Sequence, residues 1–172
     1  MPIQRKKGCG IVPKEKWSFE DFIRCVETGS QEFVRKMHSI LSEGGCKIEV
    51  KEAKSGYVVS YRFGKKTLIN YVFRKKGLLV RIYAEHIREY MDLLDTLPAA
   101  MEKAVHTAPV CKRLVNPDSC NPKCAMGYDF LLKGEHMQKC RYSAFQFFIC
   151  EEHNPFLQTF LEKELAACQS AA

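Results

Sequence analysis

The chain has 172 residues, of which 46% are hydrophobic and 27% charged, and its net charge is +7. These proportions exclude an intrinsically disordered chain and are typical of a single globular domain. Its longest apolar runs, such as residues 147–150, fall far short of the roughly 20 residues that a membrane-spanning helix needs. The N-terminal segment is basic but has no apolar stretch of the secretory kind. We therefore expect a cytoplasmic protein, whose nine cysteines stay reduced unless they bind a metal.

The first predicted elements are an arm and two helices. Residues 1–16 are basic and are expected to form a flexible arm, followed by a single domain over residues 17–172. Ser18 is a suitable N-cap for a first helix, and the helical spacing of apolar residues continues in a second helix that ends at the glycine pair 44–45.

A change from helical to alternating periodicity marks the next region. Apolar and polar residues alternate in four short segments between Cys46 and Ala84, which predicts four strands joined by tight turns. Strands with such short connections form an antiparallel meander. This region contains ten Lys and Arg residues against two Glu, so we expect it to face an acidic partner or a polyanion.

The second half of the chain returns to helices and then to a second β unit. Two helices are predicted over 87–97 and 99–106, followed by a long loop over 107–126 and a strand over 128–132. One long strand or two shorter ones follow over 136–150, and a final helix begins at residue 154. This order predicts an α+β fold, in which helices pack on one face of an antiparallel meander and a C-terminal β hairpin and helix complete the domain.

The order of elements resembles that of the YjbR-like bacterial proteins and of related small families of unknown function. The similarity runs through YVVSYRFGKKTLINYVFRKKGLLVRIY, a helix that contains Leu97-Pro98, the late strand FQFFI and the terminal helix, and it covers roughly residues 17–168. It implies a compact α+β fold of the double-wing kind. DNA binding has been proposed for such proteins, and the resemblance supplies no catalytic residues.

Two basic turns are candidate nucleic-acid contacts. Lys65 and Lys66 occupy one turn and Arg74, Lys75 and Lys76 the next, so that in a meander they lie at opposite ends of the sheet. Lysine and arginine in such hairpins can contact phosphates. Aromatic residues interleave with them, as a base-stacking surface requires, although strands favour aromatic residues in any protein. The sequence therefore suggests a binding domain for nucleic acid or another polyanion, with solvated turns as the alternative.

The cysteines suggest a second hypothesis. Cys111, Cys120, Cys124 and Cys140 follow the spacing C-x8-C-x3-C-x15-C, and zinc favours four such ligands in a tetrahedron, often with one close pair. His136 is an alternative to Cys111 as the fourth ligand. A metal would also hold the long irregular loop in place. The alternatives are buried cysteines without a ligand role and, less favoured, cysteine catalysis, for which no partner of the base is visible.

A small-molecule pocket is the third alternative. The strand over 67–73 is apolar on both faces, so Tyr61, Asn70 and Tyr71 could line a cleft on the face that helices leave uncovered. A dimer interface and a surface covered by the C-terminal β unit are the other interpretations of that face. The sequence contains none of the common phosphate-binding or hydrolase motifs, which favours binding over catalysis and leaves an enzymatic activity open.

Overall fold

The computed structural model describes residues 16–172, so the predicted basic arm lies outside the described residues except for Lys16. In this part of the chain, five α-helices, α1 to α5, span Phe19–Ile23, Thr28–Glu43, Ala99–Thr107, Lys112–Val115 and Asn154–Ser170. Seven strands, β1 to β7, span Lys47–Ala53, Gly56–Phe63, Lys66–Arg74, Gly77–Ile82, Tyr128–Leu132, Glu135–Lys139 and Gln146–Phe148. Short 3₁₀ helices lie at Ile87–Glu89, Met91–Thr96 and Pro117–Ser119. None of the described helices combines the length and apolar character needed to cross a bilayer.

The strands form two antiparallel units. β1 to β4 form a meander, and β7 extends it beside β4, so that the strand order is β1-β2-β3-β4-β7. β5 and β6 form a separate hairpin. Gly64 and Gly77 have φ angles of 57° and 129° in two turns of the meander, a backbone region that glycine adopts most easily. This architecture confirms the predicted α+β class with its meander, hairpin and C-terminal helix.

One segment differs from its sequence-based prediction, and in another the structure decides between two predicted alternatives. The helix predicted over 87–97 is two 3₁₀ helices, whose bonds join residues three apart, as from Tyr90 N to the Ile87 carbonyl. Thr96 Oγ1 donates to the Leu93 carbonyl at 2.8 Å, and a side chain that bonds the backbone in this way weakens an α-helix. Over 136–150 the structure has the second of the two predicted alternatives, two strands, because the chain passes through a turn from the hairpin to the larger sheet.

The helices pack on one face of the five-stranded sheet, which we call the inner face. One row of register neighbours across this face consists of Val50, Val59, Tyr71, Val80 and Phe147, all buried. The ring of Phe145 connects this core to the hairpin and to α5, because its centroid lies 5.3 Å from those of Tyr128, Phe130 and Phe160. One cluster of buried side chains therefore extends through both β units.

Hydrogen bonds fix two helix ends. Asp21 N donates to Ser18 Oγ at 3.2 Å and Ser18 N donates to Asp21 Oδ2 at 2.8 Å, which forms a capping box and confirms Ser18 as the N-cap of α1. At the C-terminus of α3, the buried ammonium of Lys139 donates to the carbonyls of His106 and Ala108 at 2.6 and 2.9 Å. Lys139 thereby ties β6 to α3.

Candidate functional site

The face of the sheet opposite the helices, here called the outer face, carries a polar row beside an apolar row. Residues directly opposite each other in antiparallel strands point to the same face. The polar row is Ser60, Asn70, Arg81 and Gln146, and the apolar row is Val58, Val72, Leu79 and Phe148. Val72 and Leu79 are buried but do not belong to the core cluster, which contains the buried side chains of the long helices. The outer face is thus a second surface, separate from the core.

Two polar atoms of the outer face lack partners. Asn70 Nδ2 donates to the Tyr83 hydroxyl at 3.2 Å, and Gln146 donates to the Tyr142 carbonyl. Among residues 16–172, by contrast, nothing hydrogen-bonds to Asn70 Oδ1 or to Arg81 Nε, although both atoms are shielded from solvent. Because an unpaired buried polar atom costs about 1–3 kcal/mol, a ligand that displaces the groups covering these atoms and bonds them would gain free energy.

A shallow cleft of about 340 Å³ lies at one end of the outer face, where the β2–β3 turn meets the segment before β7. Its lining consists of Lys65, Lys66, Thr67, Tyr83, Arg141 and Tyr142. The Arg141 guanidinium pairs with the Glu85 carboxylate and lies 5.3 Å from the centroid of the Tyr83 ring. Lys65 and Lys66 form no ion pair with any described residue. Because Glu85 neutralises Arg141, these two lysines supply the free positive charge of the cleft.

The second basic turn lies at the other end of the sheet. Arg74, Lys75 and Lys76 are exposed between β3 and β4, while Lys65 and Lys66 are exposed between β2 and β3. From Lys66 to Arg74 the strand β3 is about 27 Å long, at about 3.3–3.4 Å per residue. Arg74 follows Val72 by two positions and so shares the outer face. The predicted basic residues therefore form two groups, one at each end of the sheet.

The three residues predicted to line a pocket do not lie on one surface. Asn70 faces outward, but Tyr61 and Tyr71 are 0% exposed and belong to the inner core. The reason is that successive strand residues point to opposite faces, so Asn70 and Tyr71 cannot share a cleft. The Tyr61 hydroxyl bonds His38 Nδ1 at 2.8 Å, and burial raises the pKa of both tyrosines. These tyrosines are core residues, and Tyr83 takes the place beside Asn70.

The structure brings Cys111 and Cys140 onto adjacent segments. An isolated antiparallel bridge pairs Val110 with Lys139. Cys111 N donates to the Gln138 carbonyl at 2.9 Å, and Cys140 N donates to the Pro109 carbonyl at 2.8 Å. In this register Cys111 and Cys140 are diagonal neighbours on the same side of the two segments.

Cys120 and Cys124 approach this pair from the loop. Gly127 N donates to Cys111 Sγ at 3.3 Å, which folds the end of the loop back over Cys111. Burial, and then the thiols of Cys120, Cys140 and Cys111, raise the pKa of Cys124, so these three thiols lie within electrostatic reach of Cys124. His136 does not join them, because its Nε2 bonds Asp129 Oδ1 at 2.9 Å on the exposed side of β6.

A buried cluster of His86, Glu164 and Cys168 was missed by the sequence analysis. Within the described part of the chain, it is the group of metal-ligating side chains whose ligand atoms all lie within 4.8 Å of one another, and it could hold a metal ion. Glu164 Oε1 lies 2.9 Å from His86 Nδ1 and 3.5 Å from Cys168 Sγ. The one sequence signal is that Glu164 interrupts the apolar stripe of α5 at a position that faces the core.

Hydrogen bonds already occupy this buried cluster. Glu164 is 0% exposed, and its Oε2 accepts bonds from the His86 backbone N–H at 3.2 Å and from the Tyr90 hydroxyl. Burial and the Glu164 carboxylate raise the pKa of Cys168 to about 12 and also raise the pKa of Tyr90. Cys168 is therefore a protonated thiol at neutral pH, unlike the thiolate that a nucleophile requires.

Comparison of the chain with protein-family models, with curated proteins and with solved structures gives no match. Function is therefore inferred from the geometry of the outer face and of the cysteine loop.

Proposed function

We propose that the chain is a binding domain for single-stranded nucleic acid, which lies across the outer face. The observation that carries the proposal is the polar row with its unpaired Asn70 Oδ1 and Arg81 Nε, continuous with the cleft that holds Lys65 and Lys66. Amide, guanidinium and hydroxyl groups bond base edges and phosphates, whereas lysines neutralise phosphate charge.

Aromatic side chains add a stacking surface. Phe148 is partly exposed in the apolar row, and Tyr142 is 47% exposed at the cleft. Bases of any sequence stack on such rings, and each stack contributes about 1–3 kcal/mol. Polar, apolar and basic groups thus occur together on the outer face, as they do on surfaces that bind single strands.

The distribution of charge favours an extended polymer over a small anion. The two basic groups lie at opposite ends of β3, so a strand that runs along β3 meets both of them. A duplex is usually read by an element that enters a groove. Since the buried faces of the described long helices pack on the inner side, no such helix is presented on the outer face.

The test is a binding measurement with charge-reversed variants. Fluorescence anisotropy of labelled mixed-sequence single-stranded RNA and DNA is measured at increasing salt concentrations. We expect binding that weakens with salt, since counterions compete for phosphates. The variant Lys65→Glu/Lys66→Glu should lose at least about tenfold in affinity, and Arg81→Ala should lose a similar amount through the polar row.

The matched control is Lys36→Glu/Lys163→Glu, which makes the same charge change at exposed positions of α2 and α5 on the helix side. This control should keep affinity within about twofold. Binding that is insensitive to salt, or an equal loss in both double variants, would contradict a site on the outer face. A preference for duplex over single strands would contradict the proposed class of ligand.

We propose zinc as a structural cofactor of the same protein. The support is that Cys111, Cys120, Cys124 and Cys140 lie on the segments that flank α4 and β6, and that the other three thiols all raise the pKa of Cys124.

A further inference from the structure

The loop between Cys111 and Tyr128 contributes nothing to the hydrophobic core. Residues 112–127 include no buried side chain, and Val115 and Met126 are 66% and 45% exposed. The segment nevertheless has defined turns, for instance from Ser119 N to the Asn116 carbonyl at 3.0 Å and from Cys124 N to the Asn121 carbonyl at 3.0 Å. A long irregular segment without core contacts needs another interaction to hold it.

The cysteines of this loop, together with Cys140 directly after β6, could supply such an interaction. Cys111 and Cys140 are fixed by the backbone bonds on either side of the Val110–Lys139 bridge. Cys120 and Cys124, one exposed and one partly exposed, are the other two. No three of the four sulfurs, all on described residues, lie within 4.8 Å of one another in the structure, so metal binding requires the loop side chains to turn toward Cys111 and Cys140. Two cysteines on fixed backbone and two that are close in sequence on a loop are a combination found in structural zinc sites.

Two neighbours suit a cluster of thiolates. The Gly127 N–H points at Cys111 Sγ from 3.3 Å, and such donors stabilise metal-bound sulfur. The Arg113 guanidinium donates to the carbonyls of Pro122, at 3.3 Å, and of Cys124. It therefore places a positive charge beside the site, where four thiolates around a divalent cation leave an excess of negative charge.

We infer that Cys111, Cys120, Cys124 and Cys140 bind one Zn²⁺ ion and that this ion holds the loop over residues 112–127 against β6. Each thiol releases its proton as its sulfur binds, so that the ion acquires four thiolate ligands. Four protein ligands leave no open position for water or substrate, so the site is structural and not catalytic. The inference rests on the cysteine loop alone and is independent of nucleic-acid binding.

The buried cluster of His86, Glu164 and Cys168 is the competing location. Its atoms lie within ligand distance, but both oxygens of Glu164 are already bonded by donors from the protein. A metal there would have to replace these bonds inside the core. The four cysteines of the loop have no comparable set of partners among the described residues, apart from the bonds at Cys111 and a contact from Cys124 Sγ to the Ala125 carbonyl at 3.2 Å.

The test is the metal content of the full chain, which is purified under reducing conditions without chelator and measured by inductively coupled plasma mass spectrometry. We expect about one zinc per chain in the wild type. In the variant Cys120→Ser/Cys124→Ser the zinc content per chain should fall at least about tenfold. The control Cys25→Ser/Cys150→Ser and the variant Cys168→Ser should keep the zinc content of the wild type.

A second measurement on the wild type covers the case in which the double variant does not fold. Removal of zinc with a strong chelator should open the loop to trypsin at Lys112, Arg113 and Lys123, and added Zn²⁺ should restore protection. Four results would overturn the inference: a wild type without zinc, iron in place of zinc, zinc retained by Cys120→Ser/Cys124→Ser, or zinc lost from Cys168→Ser. An unchanged tryptic pattern after chelation would also overturn the role in holding the loop.

Discussion

At the scale of single residues, the carboxyl group of Glu164 joins two distant parts of the chain. It lies on α5 and accepts bonds from the backbone and the imidazole of His86 and from the hydroxyl of Tyr90, which lie after β4. Four donors, with the Cys168 thiol as the fourth, satisfy both oxygens. A buried carboxyl group with this many partners contributes to stability mainly because its removal leaves several donors unpaired.

Replacement of Glu164 is therefore expected to destabilise the protein strongly. Glu164→Ala should lower the free energy of unfolding by about 3–5 kcal/mol, since it leaves the donors of His86 and Tyr90 without a partner in the core. Glu164→Gln, which keeps the shape and one acceptor, should cost less. Urea unfolding followed by circular dichroism measures both changes.

The control for this prediction is Glu162→Ala, two positions away on the exposed side of α5. It removes only a surface bond from Gln158 at 2.9 Å and should change the free energy of unfolding by less than about 0.5 kcal/mol. Equal effects at the two positions would show that the buried bonds are not the source of the stability.

His38 makes stability depend on pH. Burial lowers the pKa of its imidazole, against a smaller opposite effect of Glu20. Because the folded state then binds a proton less readily than the unfolded state, the contribution of His38 is complete above the unfolded pKa of about 6.5. It is lost as the pH falls below that value and through the lower pKa of the folded state. The urea concentration at the midpoint of unfolding should therefore decrease as the pH is lowered from neutral to mildly acidic values.

The variant His38→Gln isolates this contribution. Glutamine can still bond the Tyr61 hydroxyl, which lies 2.8 Å from His38 Nδ1, but it does not titrate in this range. The difference in stability between wild type and variant should change with pH in the stated direction. If the two proteins lost stability in parallel, His38 would not be the titrating group.

At the scale of elements, the cysteine loop depends on the close approach of Gly127 to β6. A Cβ atom at Gly127 would lie 2.2 Å from the Lys139 carbonyl oxygen and 2.8 Å from Cys111 Sγ. The obstacle is backbone, so it cannot move aside as a flexible side chain can. The absence of a side chain therefore allows the end of the loop to pack against β6.

Gly127→Ala should displace the loop and destabilise the fold by about 1–3 kcal/mol or more, as overpacking does elsewhere. Thermal unfolding measures the loss, and in the presence of zinc the variant should also hold less metal. Gly29→Ala is the matched control, because an added Cβ in the first turn of α2 has no atom within 4 Å. Gly29→Ala should leave the unfolding temperature unchanged or raise it. A Gly127→Ala protein as stable as this control would contradict the close packing.

Local periodicity was sufficient to predict most elements, and it failed where the relevant contacts are distant in sequence. The four strands of the meander were predicted because apolar and polar residues alternate along consecutive positions of each strand. The place of β7 beside β4 was not, because the partners Phe147 and Val80 are far apart in the chain and no local pattern specifies their pairing. The same limit explains why the sequence leaves open whether residues 136–150 form one strand or two, since β6 and β7 belong to different sheets.

At the scale of the whole molecule, the same distinction between local patterns and distant contacts decides which parts of the candidate sites could be predicted. The positions of the two basic turns at opposite ends of the sheet follow from the meander and were predictable. The cleft also needs Arg141 and Tyr142, which reach it from the second β unit, so the sequence did not indicate them. The cluster at Glu164 was hidden for a similar reason, since His86 is remote from α5 in sequence. Asn70 and Tyr71 were both predicted to line one pocket, although successive residues of a strand point to opposite faces of the sheet.

The strand order also determines how the sheet ends. β1 forms one edge, and its Lys47, Glu49, Lys51 and Glu52 are exposed. β7 forms the other edge, is only three residues long, and has α3 against it. Exposed strand edges are templates on which further chains can add, and proteins block them with charge, short length or a covering helix. Both edges of this sheet are blocked in these ways, so the domain can present a broad sheet surface to a ligand without offering its backbone to other copies for aggregation.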